Sequence, residues 1–219
     1  MKARRLLGAL ALAAALVVPR GAAARGLSPD QVARIERGET VVLPQTLDDG
    51  GRRYVGGVTY TVVDMSPDEL MALFDDVDAY TRVLPRTKFA QRVPSRGRDM
   101  FVELHQGNAL IDAAYTLQMH KDPARREVRF WLDPTRPHAI DDAWGYFRYD
   151  VVGGPGDPAA AAVSSRILLT YAVLVDMGSS VLRSLYEERV RAAMLGVPQL
   201  VRRYVSDGRR YASYARQRE

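Results

Sequence analysis

The chain has 219 residues, no cysteine and a formal net charge of +5. Without cysteine it can form no disulfide framework, thiolate zinc site, thiol nucleophile or lipoprotein anchor, so its stability must come from an ordinary hydrophobic core. Four of the 31 basic residues and none of the 26 acidic ones lie in residues 1–24, so the rest of the chain has a net charge of about +1. A basic nucleic-acid-binding surface is therefore not expected, and we predict no nucleic-acid partner.

The first 24 residues have the pattern of a secretory signal peptide. Three basic residues among the first five precede an apolar stretch at 6–18, and small residues follow at 22–24. The apolar stretch is shorter than the roughly 20 residues that span a bilayer. We expect residues 1–24 to be removed and the mature protein to be periplasmic or secreted.

The segment 25–52 is predicted to form an N-terminal extension with one helix and one short strand. Ser28 is a favourable N-cap, a proline follows at the first helical position, and Gly38 ends the helix. The strand candidate lies at 39–44. The main domain is predicted to comprise residues 53–219.

Residues 66–85 are predicted to form two short helices after the first long strand, which spans 54–64. Ser66 and the glutamate three positions later have the pattern of a capping box at the start of the first helix. Asp76 or Asp78 is expected to cap the second helix, which a proline ends. Two short helices therefore interrupt a chain that is otherwise rich in strand patterns.

The hydrophobic period changes to two after these helices, and turn-forming residues separate the strand candidates, which indicates an antiparallel meander. The candidates are 87–93, 99–106, 110–120, 127–133, 143–152 and 164–176. Residues 179–216 then have helical periodicity, and Pro198 after Gly196 predicts a kink or a restart of that helix.

The stretch 62–93, "VVDMSPDELMALFDDVDAYTRVLPRTKFAQRV", resembles the START-like (SRPBCC) superfamily of polyketide cyclases, coenzyme Q-binding proteins and lipid-transfer proteins. The motifs "WGYFRY" and "ILLTYAVLVD" and the terminal helix extend the resemblance to most of 53–207. It implies an α+β helix-grip fold: a curved antiparallel β-sheet wrapped around a long C-terminal α-helix, with two short helices after the first core strand. These two helices would close one end of an apolar cavity.

The resemblance implies that a ligand would lie between the sheet and the terminal helix, and concave apolar pockets are the usual ligand sites. The candidate ligand-binding residues are Tyr115, Met119, Trp131, Trp144, Tyr146, Arg148, Tyr171 and Met194. The residues expected to close the cavity are Leu73, Phe74, Val77, Tyr80 and Leu84. Alternate residues of a strand face opposite sides, and the sequence leaves open which face looks inward. If residues 77–85 are mobile, we expect them to form the gate for the ligand.

Other chemistry has weaker support in the sequence. The three histidines lie in different segments without the short spacing of metal ligands, and we predict neither a metal nor another cofactor. His105 and Glu103 share a strand face and could form an acid–base pair, although a solvated outer face is the favoured interpretation. Asp112 would need a partner if it faced inward, and Arg148 is the candidate.

The leading hypothesis is an exported, monomeric binding protein for a lipid or another hydrophobic small molecule. One alternative is a cyclase or aromatase-like enzyme that uses tyrosine, arginine or His105 in the same cavity for proton transfer. Another is a structural role in the envelope, with the cavity filled by side chains. The arginines of the terminal helix predict either a transient contact with an anionic membrane surface or, as favoured, a solvated helix face.

Overall fold

A computed structural model describes residues 27–95, 97–107, 112–152, 166–178 and 181–216. The strands are β1 (Val41–Asp49), β2 (Arg52–Val63), β3 (Thr87–Val93), β4 (Met100–Gly107), β5 (Asp112–Asp122), β6 (Glu127–Leu132), β7 (Asp142–Val151) and β8 (Ile167–Asp176). They form one antiparallel sheet in the order β1-β2-β8-β7-β6-β5-β4-β3. The predicted signal peptide lies outside the described residues and stays a prediction.

Helices cover the two faces of this sheet unequally. They are α1 (Pro29–Glu36), α2 (Pro67–Asp75), a 3-10 helix (Val77–Ala79), α3 (Tyr80–Val83), α4 (Val181–Leu195) and α5 (Val197–Arg216). The sheet is curved, and α4 and α5 lie against its concave face, so the predicted α+β helix-grip architecture is confirmed. The predicted terminal helix is divided into two consecutive helices, because Gly196 interrupts it next to Pro198.

The start of α2 has the predicted capping box. The Ser66 backbone N–H donates to Glu69 Oε2 at 2.6 Å, and the Glu69 N–H donates to Ser66 Oγ at 3.2 Å. Of the two aspartates proposed for the next cap, Asp76 fills that role, because its Oδ1 accepts from the Ala79 N–H at 3.2 Å. Hydrogen bonds between nearby side chains and backbone N–H groups therefore determine where these helices begin.

Strand β1 is longer than the strand predicted at 39–44, since it runs from Val41 to Asp49. Gly50 and Gly51 have φ angles of +58° and +82°, which allow a tight turn, and β1 pairs with β2 along its whole length. The N-terminal extension thus provides an edge strand of the same sheet.

Helix α1 covers a second, smaller apolar cluster on the convex face of the sheet. Ile35 of α1 packs there with Tyr60 of β2 and Leu168 of β8. The cluster covers Leu168 at one end of β8, and all ten residues of this strand are buried. A strand buried on both faces is typically a continuous apolar run, and "ILLTYAVLV" is one.

The main core lies on the concave face, between the sheet and the helices. Strand β7 alternates clearly: Gly145 and Phe147 are buried on the concave side, whereas Trp144 is 42% exposed on the convex side. The Thr59 hydroxyl of β2 donates to the Leu195 carbonyl at 2.8 Å, so the end of α4 is fixed to the sheet.

Candidate functional site

A cavity of about 250 Å³ lies between the concave face of the sheet and helices α4 and α5. Most of its wall is apolar, with aliphatic side chains from β4, β5 and β8 opposite Val190, Ala193 and Met194 of α4. Helix α5 adds Val197 and Val201. The cavity therefore lies where the resemblance predicted it.

One wall of the cavity is a cluster of packed aromatic rings. The Phe147 ring stacks on the Tyr171 ring with centroids 4.5 Å apart and meets Phe74 of α2 at 4.9 Å. Phe130 of β6 lies 5.8 Å from Phe147. Aromatic pairs at these distances contribute attraction beyond simple area burial, so this wall of the cavity is closely packed.

Four of the predicted ligand-binding residues lie in the cavity wall: Tyr115, Met119, Tyr171 and Met194. Four of the predicted closing residues also line it: Leu73, Phe74, Tyr80 and Leu84. Val77 is buried in the adjoining core and is not part of the lining. Ligand contact by the lining residues stays a prediction.

The other four candidates, Trp131, Trp144, Tyr146 and Arg148, lie on the convex face and do not line this cavity. Their strands alternate, and the concave positions of β7 belong to Gly145 and Phe147. Trp131 and Trp144 are cross-strand partners, and the Trp131 indole N–H donates to Gln118 Oε1 at 3.0 Å. The sequence left open which face looks inward, and the structure places these four residues on the face opposite the cavity.

Arg148 was the candidate partner only for an inward-facing Asp112, and Asp112 is exposed and does not pair with it. The exposed Asp112 accepts from Lys88 Nζ at 2.9 Å. Arg148 instead donates through Nε to Glu127 Oε2 at 3.0 Å, and Arg129 also binds this carboxylate. Burial alone would raise the pKa of Glu127, but the hydrogen bonds from the two guanidinium groups hold it below its usual value.

His105 and Glu103 form a pair with a ring nitrogen to carboxylate distance of 2.9 Å. Both side chains are 41% exposed on the convex face of β4, whereas Leu104 between them is buried toward the cavity. This is the solvated outer face that the sequence favoured. His105 therefore lies on the opposite side of the sheet from the cavity.

The helices after β2 are rigidly packed at one end of the cavity. Val77, Ala79, Tyr80 and Val83 are all buried. The Tyr80 hydroxyl donates to the Phe74 carbonyl at 2.8 Å, which joins α3 to α2, and lies 3.6 Å from the Met119 sulfur. The proposed gate at 77–85 required mobility or poor packing, and these contacts argue against poor packing there.

Polar side chains inside the cavity are concentrated around Gln106. Its amide donates to the Thr87 hydroxyl at 2.8 Å and to the Pro85 carbonyl at 3.3 Å, and its Oε1 accepts from the Tyr115 hydroxyl. Burial raises the pKa of the Tyr115 phenol. The pKa of Tyr171 is raised by burial and further by the nearby Tyr115 phenol, so both side chains are neutral around pH 7.

Comparison with known proteins identifies the fold. No family model matches the chain, and no curated protein matches its sequence. Among solved structures, it is similar to a STAR-related lipid transfer protein from Xanthomonas axonopodis, with 13% identity, a TM-score of 0.60, and coverage of 76% of this chain and 93% of that one. The chain has the START-like helix-grip fold.

Two further structures that are similar to this helix-grip chain have TM-scores below 0.5. The aromatase/cyclase Zhui from Streptomyces sp. R1128 has 15% identity and a TM-score of 0.48, with 76% of this chain and 96% of that one covered. A START superfamily protein from Mycobacterium smegmatis has 17% identity and a TM-score of 0.43, with 65% and 97% covered. The fold is established by the TM-score of 0.60 to the Xanthomonas protein, and at 13% identity that comparison establishes the fold alone.

The opening of the helix-grip cavity is marked by lining residues that are also exposed. These are Arg86 after α3, Asp112 at the start of β5 and Arg189 on α4. Arg86 has a φ of +53°, a left-handed conformation that is uncommon for residues other than glycine. The opening therefore lies between the start of β5 and α4, beside Arg86.

Two further properties concern the described part of this helix-grip chain. Within it, no helix is both long and apolar enough to cross a membrane. No group of three or more histidine, aspartate or glutamate side chains is placed there to hold a metal ion. Arginines of α4 are partly engaged in ion pairs, since Arg191 contacts Glu187 at 2.7 Å and Glu188 at 2.8 Å.

Proposed function

We propose that the protein binds a lipid or another hydrophobic small molecule in the cavity between its sheet and its C-terminal helices. The observation that carries this proposal is a cavity of about 250 Å³ whose wall is almost entirely apolar and partly aromatic. Ligand pockets commonly have volumes of roughly 300–1,000 Å³, so the present volume suits a small ligand or a single acyl chain.

The energetics of such a site are dominated by apolar burial. Removing ~300 Å² of a ligand's apolar surface from water would contribute about 7 kcal/mol at ~25 cal/mol per Å², less the entropic costs of association. The rigid packing of Phe74, Phe147 and Tyr171 lowers the cost of ordering the wall. The fold of a STAR-related lipid transfer protein is consistent with this proposal.

A cyclase-like reaction in the same cavity is the alternative, and the polar groups give it less support. General acid–base catalysis at neutral pH is most efficient with a group whose pKa is near 7. Tyr115 and Tyr171 have raised pKa values, and His105 lies on the other face of the sheet. A structural role with a filled cavity predicted no continuous space, and the observed cavity argues against it.

We also propose that the protein is exported to the periplasm or secreted, and that it is a monomer. Export is supported by the signal-peptide pattern of residues 1–24. In that compartment the protein could collect its ligand by a transient contact with a membrane surface, which the exposed Arg202 and Arg203 of α5 would favour.

Native mass spectrometry of the purified protein, followed by solvent extraction, tests ligand binding. We expect a bound species with the mass of a small hydrophobic molecule, and saturable binding of a fluorescent acyl probe that the extracted molecule displaces. A protein that carries no apolar ligand and does not bind the acyl probe would contradict the proposal.

A further inference from the structure

The hydroxyl group of Tyr171 is a polar group in the wall of a mostly apolar cavity, near the Tyr115 phenol. Tyr171 is 5% exposed and lines the cavity from the middle of β8. Within the part of the chain that the structure describes, its hydroxyl has no hydrogen-bond partner. It is not among the fully buried side-chain atoms without a partner in that part of the chain, so it reaches the open space of the cavity, where a bound molecule can accept its proton.

Two other tyrosines in the cavity wall donate their hydroxyl protons to acceptors within the protein. The Tyr80 hydroxyl donates to the Phe74 carbonyl at 2.8 Å. The Tyr115 hydroxyl donates to Gln106 Oε1. Both protons are therefore already used within the protein, whereas the Tyr171 proton remains available to a molecule in the cavity.

The ring of Tyr171 is held in place, so its hydroxyl has a defined position. It stacks on Phe147 with a centroid distance of 4.5 Å and an interplanar angle of 28°, and on Phe130 at 6.2 Å and 24°. A donor that is fixed before binding loses little entropy when the ligand arrives. The stacked rings thus favour a ligand group at one particular place along the wall.

The surroundings of Tyr171 favour an uncharged group over a carboxylate. The side chains that pack around it, including Phe130, Phe147, Leu169 and Val173, carry no charge. The nearby Tyr115 and Gln106 are also neutral and are already bonded to each other. An anion buried among such groups would lose its hydration without gaining a positive partner.

We infer that the bound molecule is mainly apolar but carries one uncharged oxygen, a carbonyl or hydroxyl, which accepts a hydrogen bond from Tyr171 in the interior of the cavity. This inference rests on the proposed function and narrows its ligand class. Fully saturated hydrocarbons lack the acceptor. Fatty acids in their ionised form could place their carboxylate only at the exposed opening of the cavity.

A matched pair of rigid probes tests the inference. 9-Fluorenone and fluorene share a three-ring frame and differ in one carbonyl group. We expect the purified protein to bind 9-fluorenone roughly fivefold more tightly than fluorene, the difference that one net hydrogen bond provides. In Tyr171→Phe this preference should vanish, with the affinity for fluorene unchanged within about twofold, because only the hydroxyl group is removed.

Tyr60→Phe is the matched control. Tyr60 is a buried tyrosine of the cluster under α1, on the convex face, and does not line the cavity. This variant should keep the preference for 9-fluorenone. The infrared carbonyl band of bound 9-fluorenone gives a second measure, since it should shift to lower frequency in the wild type and in Tyr60→Phe but not in Tyr171→Phe.

The possible results separate this inference from the proposed function. Equal binding of both probes by the wild type, or an undiminished preference in Tyr171→Phe, would overturn the hydrogen bond while leaving a working apolar site. A wild type that binds the acyl probe but neither ring probe would overturn the inference alone, whereas a wild type that binds none of the three probes would overturn both the inference and the proposed function.

Discussion

Ala193→Trp is expected to lower the affinity for a fluorescent acyl probe at least ~100-fold, which corresponds to about 2.7 kcal/mol. Ala193 projects from α4 into the cavity, opposite the sheet. An indole at this position would occupy much of a space of about 250 Å³ and leave too little volume for the ligand. Fluorescence titration measures the affinity, and thermal unfolding shows whether the variant is folded.

Ala192→Trp is the matched control for this experiment. Ala192 is the preceding residue of the same helix but is exposed to solvent and does not line the cavity. It should bind the acyl probe as the wild type does. If a folded Ala193→Trp protein keeps its full affinity, the ligand must bind outside this cavity.

Gly145→Ala is expected to destabilise the fold by ~3 kcal/mol or more, the upper end of the range for overpacked cores. A Cβ atom at this position would lie 2.2 Å from the Ala172 carbonyl oxygen and 2.5 Å from the Phe130 ring. The first of these atoms is backbone in the middle of the sheet, so the clash cannot be relieved by a rotamer change alone. Chemical denaturation measures the change in the free energy of unfolding.

Gly208→Ala makes the same chemical change, but here we expect no loss in the free energy of unfolding. Gly208 lies in α5, and no atom lies within 4 Å of the position that its Cβ would take. Alanine should therefore leave the free energy of unfolding unchanged or increase it by up to ~1 kcal/mol, since glycine is a poor helix former. A Gly145→Ala protein as stable as Gly208→Ala would contradict the close packing assigned to the cavity wall.

Much of the fold could be predicted because its signals are local. The capping box at Ser66 depends on side chains three positions apart. The break between the two C-terminal helices depends on Gly196 and Pro198, which are two positions apart. Turn-forming residues likewise separated the strands of the meander. β1 was predicted too short, because its second half is stabilised by pairing with β2 and has little strand character of its own.

The faces of the strands could not be assigned in the same way. Alternation in β7 separates Trp144 and Tyr146 from Gly145 and Phe147, but it does not say which pair looks inward. The large aromatic side chains of Trp144 and Tyr146 suggested that this pair faces the cavity. Gly145 and Phe147 face it instead, and the Phe130 ring packs closely over Gly145. That contact joins two strands, and sequence spacing does not reveal it.

The buried carboxylate of Glu127 was missed for a related reason. Glu127 and Arg129 share a face of β6, and this spacing of two residues could have suggested a pair. Arg148 comes from β7, and its contact with Glu127 depends on the register between the strands. The polar group around Gln106 similarly joins side chains from three parts of the chain.

Methyl NMR of the protein labelled at its methionine methyl groups tests the central claim most directly. Met119, Met177 and Met194 line the cavity, whereas Met65 and Met100 are buried outside its lining. On saturation with the extracted ligand or an acyl probe, we expect the resonances of the three lining methionines to shift strongly and those of Met65 and Met100 to change little. Binding that leaves Met119 and Met194 unshifted would contradict a ligand between the sheet and the C-terminal helices.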